Sequence, residues 1–110
     1  MEQLGVAAPI LPGQEERWRS MVNELRRRSD EHKASMKAKG LEREDVWLQQ
    51  TPQGSMVILY MEGEDLESYM GKVFQSDSDF DHWFAGELQD IHGMDPGQPP
   101  PTMERVDLFP

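Results

Sequence analysis

Two apolar segments in the middle of the chain predict a β-hairpin. Residues Arg43–Gln50 and Ser55–Glu62 flank the sequence Thr51-Pro52-Gln53-Gly54, which places proline and glycine where a tight turn favours them. Because the turn is this short, Gln50 is expected to pair with Ser55. That pairing determines which side chains share a face of the hairpin.

Both faces of the predicted hairpin are apolar. One face carries Trp47, Gln49, Met56, Ile58 and Tyr60, and the opposite face carries Val46, Leu48, Val57, Leu59 and Met61. An antiparallel sheet commonly has one apolar face and one face in water. Because neither face here is polar, we expect helices to cover one face and a second copy of the chain to cover the other.

The first forty residues predict a strand followed by a helix. Alternating apolar residues predict a strand at about 3–10, which Pro12-Gly13 ends. Apolar residues then recur at helical spacing from Glu15 onward, with acidic residues in the first turn and basic residues in the last. The pattern predicts one long amphipathic helix that stops at Gly40.

The last fifty residues predict a second helix and a final strand. Helical spacing begins at Leu66, is interrupted by residues 76–79, and resumes to a stop at Gly93. Residues 94–102 are rich in proline and glycine and are interpreted as a linker. The alternating pattern of Glu104–Phe109 then predicts a short strand.

The predicted order is strand, helix, strand, strand, helix, strand, which is the βαββαβ order of ferredoxin-like folds. The expected fold class is therefore α+β, with a four-stranded antiparallel sheet and two helices on one face. At 110 residues the chain has the length of one domain. We expect residues 1–110 to form a single domain that includes the linker at 94–102.

Three stretches of the chain carry a family resemblance: Pro9–Gly13 with the following Glu15-Glu16-Arg17-Trp18, the segment Met56–Met61 with Glu62-Gly63-Glu64-Asp65-Leu66, and the tail Gly93–Asp107. In these stretches the chain resembles the dimeric α+β-barrel superfamily, which includes the antibiotic-biosynthesis monooxygenases. It is most similar to small bacterial members of unknown function. The resemblance implies a homodimer whose two sheets face each other as a barrel, with a cavity between each sheet and its own helices.

The same resemblance implies several activities, among them cofactor-free oxygenation of aromatic polyketides, cyclisation, dye peroxidation and haem degradation. The haem-degrading branch has a Trp three residues before a Ser-Asp pair and a His several residues after it. In this chain Val73 precedes Ser76-Asp77 by that spacing, and Phe84 falls about where the His would be. Haem chemistry is therefore not expected, and no cofactor is predicted.

Charge and composition narrow the classes of partner. The net charge is −10, and between residues 62 and 95 the only Lys or Arg among many acidic residues is Lys72. Such a field repels phosphate backbones, so nucleic acid is not expected as a partner. The chain has no cysteine and no apolar run long enough to span a bilayer. We expect a cytoplasmic protein that does not bind membranes.

The sequence offers few groups for chemistry. Asp77-x-Asp79-x-Asp81 resembles the start of a calcium loop, but His82 stands where the loop requires glycine, and Leu88 stands where it requires glutamate. Helix capping by residues 76–79 is the better interpretation. The three histidines lack the spacing of a metal pair, so no metal site is predicted.

Four side chains are candidates for a site. His82 could act as a general base or donate a hydrogen bond to a phenolic substrate; alternatively it is an exposed or capping residue. Trp83 could line a ligand cavity or belong to the core. Trp47 and Tyr60 could stack a flat ligand, or they could form the centre of a homodimer interface.

These observations support two functions from different classes. The first is a homodimeric protein that binds a small apolar or aromatic ligand, because the sheet is apolar on both faces and no coherent catalytic set is visible. The alternative is a cofactor-free monooxygenase or cyclase that acts on an aromatic or polyketide-like molecule. Whether the chain is an enzyme is left open by the sequence.

Overall fold

The computed structural model of the protein describes residues 1–98 and 103–109. These residues form an α+β fold in which one antiparallel sheet packs against helices. In chain order the elements are β1 (Glu2–Pro9), α1 (Glu15–Arg27), α2 (Ser29–Ala38), β2 (Leu41–Thr51), β3 (Gly54–Gly63), a 3₁₀ turn (Leu66–Ser68), α3 (Tyr69–Gln75) and α4 (Asp79–His92). None of these helices has the length and apolar character needed to cross a membrane.

The hairpin prediction is confirmed in its register. The sheet has the strand order β1-β3-β2, and Gln50 of β2 pairs with Ser55 of β3. In the turn, the Thr51 hydroxyl donates to the carbonyl of Gly54 at 2.7 Å and accepts from the backbone N–H of Gln53 at 3.2 Å. Gly54 has a φ of +125°, which favours glycine over any residue with a Cβ.

The four-stranded ferredoxin-like prediction is wrong. Within the described residues the sheet has three strands, and four α-helices replace the two that were expected. The segment 104–109 is irregular rather than a strand, and the βαββαβ arrangement and the dimeric α+β barrel that depended on it are not supported. Of the linker predicted at 94–102, residues 99–102 lie outside the described residues.

The alternating apolar residues of the tail are exposed, so alternation there did not produce a strand. Val106, Leu108 and Phe109 are 68%, 78% and 93% exposed. A strand requires backbone partners as well as alternation, and the tail contacts β1 through side chains instead. The Arg105 guanidinium donates to Gln3 of β1.

Both predicted helices are divided in two. The first helix breaks at Arg28, which has a φ of −103° and a ψ of 36°; α1 buries Trp18 and Met21, whereas α2 has no buried residue. The second divides at residues 76–78, where the Ser78 hydroxyl caps α4 by accepting from the backbone N–H of Asp81 at 3.1 Å. The predicted capping is thus confirmed.

The helices cover only one face of the sheet, which we call the helix-side face. It carries Leu4, Val6, Ala8, Glu44, Val46, Leu48, Val57, Leu59 and Met61. The buried core lies between this face and the helices, and its most enclosed side chains are Val73 and Ile91. We call the opposite face the open face; Trp47 on it is 56% exposed.

Candidate functional site

A cavity of about 190 Å³ lies between the helix-side face and the helices. Its walls are almost entirely aliphatic and aromatic. They are formed by Leu4, Val6, Ala8, Val46, Val57, Leu59 and Met61 of the sheet, by Trp18, Met21, Val22 and Leu25 of α1, and by Leu66, Met70, Phe84, Leu88 and Met94. The packing of helices over one face leaves this space because the strands and helices do not interdigitate completely there.

The carboxyl group of Glu44 lies on the sheet wall of this cavity. Glu44 of β2 stands opposite Met61 of β3, which in turn pairs with Leu4 of β1, so its side chain points to the same side as these apolar neighbours. Burial, the only cause of the shift, raises the pKa of Glu44 from 4.5 to about 7. None of the described residues donates a hydrogen bond to this carboxyl group or forms an ion pair with it.

Tyr69 is the second polar group of the cavity. It is the first residue of α3, is only 3% exposed, and lines the same space as Glu44. Burial raises the pKa of its hydroxyl, and the nearby carboxylates of Glu44 and Asp81 raise it further. The Tyr69 hydroxyl is therefore a neutral hydrogen-bond donor at physiological pH.

His92 lies at the edge of the cavity, at the end of α4. Its Nδ1 is 2.9 Å from the carbonyl oxygen of Pro9. Because a carbonyl can only accept, Nδ1 carries a proton, and Nε2 of the neutral ring is left as an acceptor. Burial lowers the pKa of His92, although the contact with Pro9 partly offsets this effect.

A wider groove of about 760 Å³ runs beside β1, between that strand, α3 and residues 92–98. The groove and the cavity share wall residues, among them Glu67, Met70, His92 and Met94. Methionine side chains are unbranched and change conformation easily. The groove therefore offers a route by which a small molecule could reach the cavity.

The buried carboxylate of Asp81 has a structural role. Its oxygens accept from Lys39 Nζ at 2.7 Å and from the Ser35 hydroxyl at 2.6 Å, so the contact ties α4 to the end of α2. Burial tends to raise its pKa, but the hydrogen bonds from Lys39 and from serines prevail and lower it to about 2. This carboxylate is satisfied within the protein and does not line the cavity.

The aromatic residues proposed from the hairpin lie away from the cavity. Trp47 and Tyr60 are on the open face, where the Tyr60 hydroxyl donates to Glu62 at 2.7 Å and the Arg43 guanidinium lies 5.9 Å from the Tyr60 ring centre. The hydrogen bond to Glu62 raises the pKa of Tyr60. Their roles in ligand binding or in a dimer interface stay predictions.

The structure also separates the two predicted residues of α4 from the cavity wall. His82 is exposed in the first turn of the helix. Trp83 is half-buried, packs against Phe80, and has the Arg28 guanidinium 5.2 Å from its ring centre. Neither side chain contributes to the cavity, and Phe84 lines it instead. Catalysis by His82 and ligand binding by Trp83 stay predictions.

The sequence reasoning missed Glu44 and Tyr69. A signal for Glu44 was present, because the predicted register places it in line with Val46 and Leu48 on the apolar face. The signal for Tyr69 was weak, since a tyrosine among apolar residues at helical spacing is typical of a core position. In residues 1–98 and 103–109, no group of three His, Asp or Glu residues is arranged to hold a metal ion.

Fold and cavity together define a small α+β protein with a largely apolar cavity that the Glu44 carboxyl group lines without a partner among the described residues. Residues 1–95 match the family described as "Family of unknown function (DUF6176)", and the chain belongs to that family. No curated protein matches the chain.

Proposed function

We propose that the protein binds a small, largely apolar molecule in the cavity between the helix-side face and the helices. The observation that carries this proposal is the combination of volume and lining, about 190 Å³ enclosed mainly by aliphatic and aromatic side chains. An apolar cavity of roughly 150 Å³ in another protein stays dry and accommodates benzene. The size favours a ligand with one aromatic ring or a comparable aliphatic group.

A direct test is titration with toluene, followed by NMR chemical shifts and by the rise in Tm that ligand binding produces. Leu59→Trp places a ring inside the cavity, so it should abolish the response to toluene while near-UV circular dichroism confirms a folded protein. Ile58→Trp is the matched control, because the adjacent residue of β3 points to the open face. A folded wild-type protein that shows no response to saturating toluene would contradict the proposal.

A cofactor-free enzyme that acts on a small aromatic molecule is the second candidate. It is supported by Glu44, because a carboxyl group with a pKa of about 7 is suited to accept and return a proton at neutral pH. The cavity volume favours a substrate with one ring over a fused polyketide.

The two candidate bases can be compared on any substrate found by screening single-ring phenols. Glu44→Gln removes the base in the cavity, and we expect it to lower turnover by roughly 10²–10⁴. His82→Ala removes the exposed histidine and should leave turnover unchanged. The opposite pattern would assign catalysis to His82 and refute a role for Glu44.

We further propose that the open face forms a homodimer with the same face of a second copy. Met56, Ile58 and Tyr60 extend from Trp47 as a continuous apolar patch, and aromatic residues and methionine are favoured at the centre of interfaces. Sedimentation at micromolar concentration should give a dimer, and Ile58→Asp should convert it to a monomer. Gln89→Glu, which adds a charge on the exposed side of α4, is the control. A wild-type monomer would refute this interface.

A further inference from the structure

Glu44 and Tyr69 both line the cavity, and neither has a hydrogen-bond partner among the described residues. No side-chain nitrogen or oxygen of the described residues is fully buried without a partner, so both groups keep some access to solvent. An apolar ligand in the cavity would remove that solvent, and a polar group left without a partner costs about 1–3 kcal/mol, or more when it is charged. A ligand with a complementary head group would avoid this cost.

The charges around the cavity determine which head group is complementary. In the part of the chain that the structure describes, no lysine or arginine contributes to the cavity wall, and the segments of β1, β3 and α1 that form it contribute no titratable group. The ionisable side chains that face the cavity are Glu44 from β2, Glu67 from the 3₁₀ turn, Tyr69 from α3 and His92 from α4. A positive ligand is attracted by the two carboxylates, and an anionic ligand is repelled by them.

This inference rests on the proposed function. We propose that the ligand is a small apolar amine, bound as the ammonium ion. The ammonium group pairs with the Glu44 carboxylate, and the apolar part of the ligand lies against the aliphatic walls. Tyr69 positions this head group by hydrogen bonding from the neighbouring element α3. A charge-assisted hydrogen bond inside a protein is stronger than a neutral one and is screened less by solvent. The carboxyl group therefore supplies selectivity, and the apolar walls supply the bulk of the contact area.

Binding of an ammonium ion is coupled to ionisation of the carboxyl group. When Glu44 is protonated it cannot form the ion pair, so the carboxyl must lose its proton before or during binding. The affinity for the amine should then increase as pH rises through the range in which Glu44 ionises. A neutral ligand of the same shape has no such requirement, and its affinity should not rise with pH.

The experiment compares benzylamine with toluene by isothermal titration calorimetry at about pH 5.5 and about pH 8. We expect the wild-type protein to prefer benzylamine at the higher pH and to lose roughly tenfold or more of that preference at the lower pH. Glu44→Gln should lower the affinity for benzylamine, relative to the affinity for toluene, by at least roughly tenfold. Asp45→Asn is the matched control, because it removes the adjacent carboxyl on the open face.

Further measurements test whether benzylamine and toluene bind in the cavity. Toluene should displace benzylamine in competition, and Leu59→Trp should abolish binding of both probes. Tyr69→Phe should weaken benzylamine binding by a larger factor than toluene binding, whereas a purely structural tyrosine would change both affinities equally.

The outcomes separate the inference from the function on which it rests. If toluene fails to bind, the proposed function itself fails. If toluene binds, but benzylamine shows no preference or Glu44→Gln binds it as tightly as the wild type does, the cavity is a ligand site and the amine class is refuted. Loss of benzylamine binding in Asp45→Asn would likewise overturn the assignment, because it would place the amine on the open face.

Discussion

Replacing Glu44 by glutamine should make the protein more stable at alkaline pH and should have little effect in acid. Glutamine has nearly the shape of a protonated glutamic acid, so the substitution retains the packing and removes only the ability to ionise. The carboxyl group lies against apolar side chains and has no cation beside it among the described residues. Its charged form is therefore the form that the folded protein disfavours.

The sign and size of the effect follow from the pKa difference. The folded protein raises the pKa of Glu44 from 4.5 to about 7, so between these values the folded state binds more protons than the unfolded state. The contribution of Glu44 to the free energy of unfolding is therefore fully present below about pH 4.5 and is lost as the pH rises through about 7. At 1.36 kcal/mol per pKa unit, the wild-type protein loses about 3 kcal/mol of unfolding free energy. The unfolding free energy of Glu44→Gln should not decrease in this way, because glutamine does not ionise.

Urea unfolding, monitored by far-UV circular dichroism at fixed protein concentration, measures the effect. His32 and His92 have pKa values lowered by burial, so they titrate in a nearby range and increase stability as pH rises. The quantity to compare is therefore the difference in unfolding free energy between Glu44→Gln and the wild type at each pH. We expect less than about 0.5 kcal/mol at about pH 4.5 and about 3 kcal/mol in favour of the variant at about pH 8.

The neighbouring variant Asp45→Asn serves as the control, since that carboxyl lies on the open face, where Arg43 pairs with it at 2.9 Å. It should not reproduce the pH-dependent gain. If Glu44→Gln changed stability by the same amount at both pH values, or destabilised the protein at about pH 8, the carboxyl would not be an uncompensated buried group. The reasoning about the cavity would then be refuted.

Two further predictions concern stability. Asp81→Asn leaves Lys39 buried without its carboxylate partner, so we expect it to lower the free energy of unfolding in urea by about 3–5 kcal/mol at neutral pH. Glu87→Gln, which disrupts an exposed ion pair, should lower it by less than about 1 kcal/mol, and equal losses in the two variants would contradict the prediction. The contribution of Asp81 to stability should itself decrease below pH 3.8, as the carboxylate titrates through about 2. Gly63→Ala places a Cβ 2.2 Å from a backbone oxygen and should lower the free energy of unfolding by about 1–3 kcal/mol or more. Gly71→Ala, at an open position on α3, should raise it by up to about 1 kcal/mol. Similar Tm values for the two variants would show that the close backbone approach at Gly63 is absent.

The hairpin was predictable because its information is local. Turn chemistry between Thr51 and Gly54 determines the register, and the register determines both faces of the sheet. The prediction of a last strand was wrong because alternation in residues 104–109 does not specify a partner strand. Strand pairing depends on the rest of the fold. The break at Arg28 was equally invisible, since helical spacing continues across it and only the packing of α1 and α2 separates them.

The site was predictable only in part, and for a different reason. Attention to histidine and aromatic residues led to His82, Trp83, Trp47 and Tyr60, which the fold places outside the cavity. Glu44 could have been found by asking which polar residue breaks the apolar face, because a local rule is broken most often where a group has a function. The relation between Glu44 and Tyr69 could not be read from sequence, since it depends on how the fold brings β2 and the start of α3 to the same cavity.

The comparison between Asp81, which is buried, and Glu44, which is half-buried at the cavity, explains why Glu44 is assigned to the site. Asp81 receives hydrogen bonds from Lys39 and Ser35, and these bonds stabilise its charge and lower its pKa. Glu44 receives none from the described residues, and burial raises its pKa. A buried charge that the protein satisfies contributes to the fold, whereas one that it leaves open beside a cavity reduces stability until a ligand pairs with it. A bound amine would therefore raise the stability of the wild-type protein at about pH 8 by more than it raises that of Glu44→Gln. Urea unfolding in the presence of benzylamine measures that difference directly, and equal stabilisation of the two proteins would assign Glu44 no part in ligand binding.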